Sequence, residues 1–306
     1  MIIDAFLARD EDELIDFRVT YLRNHVDLFI VGESPISFSG KPKPMHFSDR
    51  KALGDLPDNV IVYEIDIPNR LAMKGSTVEI QDEVRRRFAL LVWREFPKAT
   101  VFFLDADEIP SRAQVTAAQE FDEPEFIATV PMRMMWRKAN WELLLRESGW
   151  FSPKVFRGKP AVKNLRSHFT TNVLEGEFGA HFSFLNMGIE QLQRKFGDYG
   201  HQEYNQENLW SARFLDYCNR YGLDHLGRAG RKGRGLLRHL SNKELPEVAR
   251  EAVAMNPHWK GNTFTGSRLG RLVRARIVAN HVHSREREAR AETASWPPTS
   301  YAFSVA

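Results

Sequence analysis

Cysteine is almost missing from this chain: Cys218 is the only one in 306 residues. No disulfide framework can hold such a fold, and the composition suits a reducing compartment. Long apolar runs are missing too. No segment approaches the roughly 18 consecutive apolar residues of a membrane span. The opening M-I-I-D-A-F-L-A-R-D lacks the basic region of a secretory leader and is too short to be one. These absences predict a soluble, cytoplasmic protein. Charge of one sign is not in excess either. Although 27% of the residues are charged, the net charge is only +3, which argues against nucleic-acid binding by the body of the protein. There is no internal repeat and no low-complexity tract.

What is present is enough apolar material, 42% of residues, to bury a real core in one or two domains. The most informative stretch is Ala99 to Ser111, A-T-V-F-F-L-D-A-D-E-I-P-S. Val101 to Leu104 is a solid apolar run of the kind found in a strand buried on both faces. At its end it delivers Asp105, Asp107 and Glu108, and Pro110 fixes the exit. Open α/β sheets leave their ligand crevice outside the carboxyl ends of the strands. Two carboxylates one residue apart are well placed there to hold a divalent cation that also touches a phosphate. The alternative is a solvated acidic turn. Glu108 points to the other side of an extended backbone and is less suited to the same cation.

Taken in order, Ile2 to Ala8 reads as a strand, followed by a helix to about Asn24 with Leu14, Phe17, Tyr21 and Leu22 on its apolar face. Asp27 to Val31 and Val60 to Ile65 read as strands, and Phe38 to Phe47, with two prolines, as a loop. Thr77 to Phe96 reads as a helix with Val84, Phe88, Leu91 and Val92 on one side. Strands alternating with helices predict an α/β fold with a mostly parallel sheet. Farther on, Phe126 to Met135, Lys154 to Phe156 and His181 to Leu185 read as strands. Gly188 to Phe196, Gln206 to Tyr221 and Pro246 to Met255 read as helices. From Asn262 the pattern changes to a basic amphipathic helix, with Arg268, Arg271, Arg274 and Arg276 beside Leu269, Leu272, Val273 and Ile277, and then a loose tail. That stripe either packs on the main body or docks on an anionic membrane surface. The expected division is 1–261 and 262–306.

Several residues could carry chemistry. His181 suits either a cation site or a satisfied core position on a strand. His201 and Glu203, on one side of the chain if that segment is extended, could do acid–base work or hold a hydroxyl, or form a polar turn. Among Arg85, Arg86 and Arg87 one must face inward, because successive helical residues are about 100° apart. Glu83 and Arg86 can pair across one turn. Trp136, Trp141 and Trp150 suit a core, or an acceptor platform that takes the apolar C–H face of a sugar ring.

Together these motifs resemble glycosyltransferase family 17. D-E-D-E-L-I-D-F-R (Asp10 to Arg18) is similar to its N-E-x-D-L-L-E-x-R opening, and I-V-G-E-S (Ile30 to Ser34) to its V-x-x-E-S. The Phe38 to Phe47 segment resembles F-T-G-x-x-K-P-L-x-F and contains Lys43. Leu104 to Pro110 matches D-x-D-E-I-P, Ala180 to Leu185 resembles W-H-F-S-Y, and Lys195 to Asn205 resembles K-x-x-S-x-x-H-x-E-x-N. Asp10, Ala180 and the Gly197-Asp198 pair depart from the family's usual Asn, Trp and Ser.

The resemblance implies a GT-A type, Rossmann-like fold and an inverting transfer from a UDP-sugar, with UDP-N-acetylglucosamine the expected donor, to a carbohydrate or lipid-linked acceptor. It implies Mn²⁺ or Mg²⁺ held by Asp105, Asp107 and His181. It raises Glu11, Arg18 and Glu33 to nucleotide-sugar or structural site positions, puts Lys43, Arg86, Asp105 and His201 at the nucleotide sugar, and makes Glu203, with Asp198 behind it, the candidate general base. A non-catalytic glycan or nucleotide-sugar binder is the alternative from another class, and a surface binder acting through the Arg268 to Arg276 helix is a third.

Overall fold

Both faces of the first strand are apolar. In β1 (Ile2–Leu7), side chains alternate in direction, so Ile3 and Ala5 enter one core and Ile2 and Phe6 another. β4 (Thr100–Asp105) repeats this, with Val101 and Phe103 on the first side and Phe102 and Leu104 on the second. Such strands need cover on both faces. A computed structural model describes residues 1–68, 75–144, 150–160, 165–168, 170–198, 202–227, 236–268 and 270–278, and it pairs β1 with β4 in parallel at the centre of one sheet.

β2 (Leu28–Glu33) and β3 (Val60–Glu64) complete a parallel half in the order β3-β2-β1-β4. Beyond β4 the sheet continues antiparallel, and the strands involved come later in the chain. Helix Thr77–Glu95 covers one face through Val84, Phe88 and Val92. It starts where Ser76 and Glu79 form a reciprocal capping box. Helices Asp12–Leu22 and Glu247–Met255 cover the other face through Phe17, Leu22, Val248 and Ala252. The fold is mixed α/β, as the alternation of elements predicts.

The second half builds a smaller sheet. β5 (Glu108–Ile109) follows β4 at once. Phe126 to Met135, expected as one strand, is two: β6 (Phe126–Thr129) and β7 (Met132–Trp136). Pro131 lies between them and has no N–H to continue a ladder, so β6 pairs with the first sheet and β7 with the second. β8 (Trp141–Leu143), β9 (Lys154–Arg157), β10 (Gly179–Ser183) and β11 (Leu237–His239) follow. β9 bridges β4 and β6, while the second sheet runs β11-β8-β7-β10-β5. The β10–β5 approach requires Gly179, since an added Cβ would lie 2.5 Å from the Ile109 carbonyl oxygen. That register sets His181 opposite Glu108, and the Phe182 N–H donates to the Asp107 carbonyl at 2.7 Å.

Two helical readings change. Gln206 to Tyr221 breaks at Trp210 and Ser211 into a 3-10 turn, Glu207–Leu209, and a helix, Ala212–Tyr221. A short helix, His46–Ala52, opens where the proline-containing loop ends. In the C-terminal region, residue 268 and residues 270–278 are helical. Leu272, Ala275 and Val278 pack into the core that holds Leu215 and Cys218. Arg271 donates to the Tyr221 carbonyl at 2.7 Å and Arg274 to the Tyr217 hydroxyl at 3.0 Å. Part of the stripe is therefore covered by the main body, while Val273 and Ile277 stay exposed. The rest of the expected tail, 279–306, lies outside the described residues. Among the described residues no helix is long and apolar enough to cross a membrane.

One buried ion pair locks the parallel half to the end of β4. Asp4 and Arg18 are both fully buried. Arg18 donates through Nε and Nη2 to the two Asp4 oxygens at 2.7 and 2.6 Å, and through Nη1 to the carbonyls of Asp105 and Ala106 at 3.0 and 3.1 Å. Replacing Arg18 by Met leaves a buried carboxylate with no counter-charge, a change that costs about 3–5 kcal/mol. The expected outcome is a matching fall in the urea midpoint of Arg18→Met, largely restored in Asp4→Leu/Arg18→Met. Additive losses in the double variant would show that the pair itself is not what Arg18 serves.

Candidate active site at the end of the central strand

The carboxyl ends of β1, β2 and β4 open on one cavity of about 550 Å³. β1 lies between β2 and β4, so the chain reverses its direction of travel across the sheet there, and open sheets leave a crevice at that point. Leu7, Ala8 and Gly32 form part of its floor, with Asp105, Ala106 and Asp107 beside them. Gln81, Val84 and Arg85 line it from helix Thr77–Glu95, and His181 and Ser183 from β10.

Each acidic side chain after β4 is met by a cation from a different part of the chain. Asp105 lies on the same face as Phe103, the face covered by helix Thr77–Glu95, and Arg85 of that helix donates to its Oδ2 at 2.8 Å. Arg166, from the 3-10 turn Leu165–Ser167, reaches the same carboxylate at 3.3 Å. Asp107 accepts from Lys195 of helix Ile189–Asp198 at 3.0 Å and lies 3.5 Å from His181 Nε2. Burial alone would raise the Asp107 carboxyl, but Lys195 and His181 override it and hold it well below the usual carboxylate range. Ala106 and Asp107 form a turn, not the extended backbone expected, so Glu108 shares Arg166 with Asp105 and lies opposite His181; it is wholly buried. It takes two N–H bonds from Arg166 at 2.5 Å each, one from the Trp150 indole at 2.6 Å and one from the Asp105 backbone at 2.8 Å.

Asp107 Oδ1 and His181 Nε2, side by side on the cavity wall, form a carboxylate–imidazole donor pair of the kind that accepts a borderline-hard divalent cation. Asp105 is drawn instead to the two arginines. Among the described residues no three His, Cys, Asp or Glu side chains converge as a ready-made metal cage.

The other expected residues divide sharply. Glu11, Lys43 and Asp198 line the cavity. Glu11 accepts the Arg9 N–H at 2.9 Å, and burial raises its carboxyl. Asp198 pairs with Arg9 at 2.7 Å. Arg86 does not reach the cavity; it lies on the outer face, paired with Glu83 at 2.8 Å. On a helix the stripe Val84, Phe88 and Val92 centres about 60° from Arg85 and about 160° from Arg86, so the inward arginine is Arg85. Arg18 does not line the cavity and serves Asp4. Glu33 does not line it either: its carboxylate accepts from the Phe47 and Ser48 N–H groups and the Ser48 hydroxyl at 3.0, 2.8 and 3.0 Å. It satisfies orphan donors at the start of helix His46–Ala52. His201 and the Glu203 side chain lie outside what is described. The backbone at Gln202–Tyr204 is a 3-10 turn, not the extended segment expected. Arg166 has nothing in its local sequence that sets it apart, and Trp150 shares its platform reading with Trp136 and Trp141, of which it alone lines this cavity. Lys195 was visible only as part of a longer motif.

The model of glycosyltransferase family 17 matches residues 1–217. A solved structure described as that of the inositol-1-phosphate CTP transferase from T. maritima is similar over 61% of this chain and 86% of that chain, at 15% identity and a TM-score of 0.30, a likeness too distant to inform the site. No curated protein matches.

Lys43 generates a test of its own. Its Nζ is buried with no hydrogen-bond partner among the described residues, and Glu33 Oε1 lies 4.0 Å away. Burial lowers its pKa. A buried donor without a partner costs about 1–3 kcal/mol. Lys43→Met should therefore raise the urea midpoint at neutral pH. The folded pKa lies below the unfolded value of about 10.4, so the unfolded state binds more protons between the two. The penalty is full below the folded pKa and fades as pH rises through it, so the gain from Lys43→Met should shrink toward alkaline pH. A lower midpoint in the variant would show that the ammonium stabilises the fold.

Proposed function

The chain belongs to glycosyltransferase family 17 and is a glycosyltransferase; on that premise we propose that it is a GT-A type, inverting enzyme. Its donor is a UDP-sugar, with N-acetylglucosamine the expected sugar, and its acceptor is a carbohydrate or lipid-linked hydroxyl. The observation that carries this reading is the convergence of Asp105, Asp107, His181, Arg85, Arg166 and Lys195 on one cavity at the switch point of a parallel sheet. A nucleoside diphosphate needs both a binding cleft at strand ends and positive charge for its phosphates.

In this reading Asp107 and His181 hold Mn²⁺ or Mg²⁺. Such a cation, when bound, supplies charge that stabilises the departing diphosphate. Arg85 and Arg166 add fixed donors aimed by Asp105 and Glu108, and fixed donors stabilise charge without reorganising during the reaction. Lys195 adds a third cation beside Asp107. The acceptor oxygen attacks C1 on the face opposite the diphosphate, the C1–oxygen bond to phosphate breaks, and the acceptor proton passes to a carboxylate. Asp198 lines the cavity, and Glu203 stands in the turn that follows it.

The test is a donor screen that reads UDP or GDP release from a panel of nucleotide sugars in Mn²⁺, Mg²⁺ or EDTA. Release from UDP-N-acetylglucosamine is expected with metal and not in EDTA, and Asp107→Ala should abolish it. Arg85→Ala should lower kcat/KM by about 10²-fold or more, the size typical of a lost transition-state donor, while Arg86→Ala stays near wild type. Undiminished turnover in EDTA would sink the metal. The base assignment has its own check. One of Glu203→Gln and Asp198→Asn should lower transfer by about 10²–10⁴-fold with the UDP dissociation constant unchanged, and a failure of both removes these two carboxylates from the role.

A further inference from the structure

Three tryptophans of the second half could each have served a sugar, and the fold separates them. Trp136 is completely buried, edge-on to Phe184. Trp141 is buried against Phe264, with its indole N–H donating to the Asn262 carbonyl at 2.9 Å. Trp150 lines the cavity. We propose that the indole face of Trp150 is the platform on which the pyranose ring of the nucleotide sugar rests. The inference rests on the donor reading above and adds to it the residue that holds the transferred sugar.

The ring is fixed from several sides. Trp150 exchanges backbone hydrogen bonds with Met132 at 2.7 and 3.0 Å. Its Nε1–H donates to Glu108 Oε1 at 2.6 Å, and Glu108 is in turn clamped by both Arg166 nitrogens. With its single polar atom committed to Glu108, the indole is otherwise apolar; part of it packs on the hydrophobic cores and part lines the cavity, a surface of the kind that takes the C–H face of a sugar. Its neighbours locate the ligand. His181 lies beside it, with ring centroids 5.3 Å apart, and Arg166 shares its carboxylate. In a nucleotide sugar the pyranose is bonded directly to the diphosphate. Whatever His181 and Arg166 hold at the diphosphate therefore has the sugar one bond away, at the position Trp150 faces. One carboxylate, Glu108, thus keeps the sugar platform and a phosphate-side cation in register.

The experiment measures dissociation constants of the full chain for UDP and for UDP-N-acetylglucosamine, UDP-glucose and UDP-galactose in Mn²⁺, by isothermal titration. The quantity read is the ratio of the UDP-sugar constant to the UDP constant. Trp150→Leu keeps an apolar side chain but removes the aromatic face, and should raise that ratio by about three- to tenfold, the worth of one aromatic contact, with the UDP constant moving by less than about twofold. Trp150→Phe keeps a face and should hold the ratio near wild type. An unchanged ratio in Trp150→Leu, equal weakening of UDP and UDP-sugar, or equal loss in the Phe and Leu variants would overturn the proposal. If the unmutated protein bound no UDP species, the donor reading itself would fall, and that outcome is visible before any variant is made.

Discussion

A carboxylate taken out of water must be met by a cation or hydrogen-bond donors, and this protein places three carboxylates within four residues at the end of its central strand. Asp105, Asp107 and Glu108 are met by Arg85, Lys195 and Arg166, while Arg18 holds the carbonyls between them. These four cations come from two helices of the first half, a 3-10 turn and a helix of the second. None of the acidic groups can stay in place unless those segments have docked. Folding the body and assembling the site are for this reason one event.

Buried ion pairs of this sort add little net stability, because desolvation offsets most of their attraction. Their value here is geometric. Arg85 and Arg166 are held by Asp105 and Glu108, which fix two planar guanidinium groups on the cavity wall. The same carboxylate that aims Arg166 also takes the Trp150 indole, so one buried residue that touches no solvent orders two walls of the cavity. The far wall carries local strain. Phe184, which lines the cavity, has φ 56°, and nearby Arg137 and Asn186 have φ 61° and 51°. Non-glycine residues in the left-handed region persist only where the surroundings over-determine them. Here the Phe184 ring stacks on Phe196 and carries the Lys195 ammonium 5.2 Å above its centroid.

Much of this was legible in the chain because it depends on neighbours in sequence. The apolar run Val101 to Leu104 required a strand covered on both faces, and that strand ends at Asp105; Asp107 follows in a turn, so the direction of its side chain was not legible from period two. The stripe Val84, Phe88 and Val92 required an amphipathic helix, and the same geometry singles out Arg85 over Arg86 once the centre of the stripe is found. The division of Phe126 to Met135 was also available, since Pro131 cannot donate to a ladder. The family resemblance came from the order and spacing of such local motifs, and the match over residues 1–217 agrees with it.

Tertiary structure alone decided which residues at a distance complete those motifs. Arg166 is 58 residues from the Glu108 it neutralises, and nothing around it differs from any solvated arginine. Trp150 has the same composition signal as Trp136 and Trp141, and only the placement of its ring separates a cavity wall from a core. Glu33 and Arg18 sit in motif positions that suggest a ligand, yet packing commits them to a helix start and to Asp4. Periodicity reports the direction a side chain leaves its own element, and the chain carries that information locally. What the side chain then meets is set by the docking of elements far apart in sequence, where desolvation and pairing of charge choose among partners that no local pattern can rank.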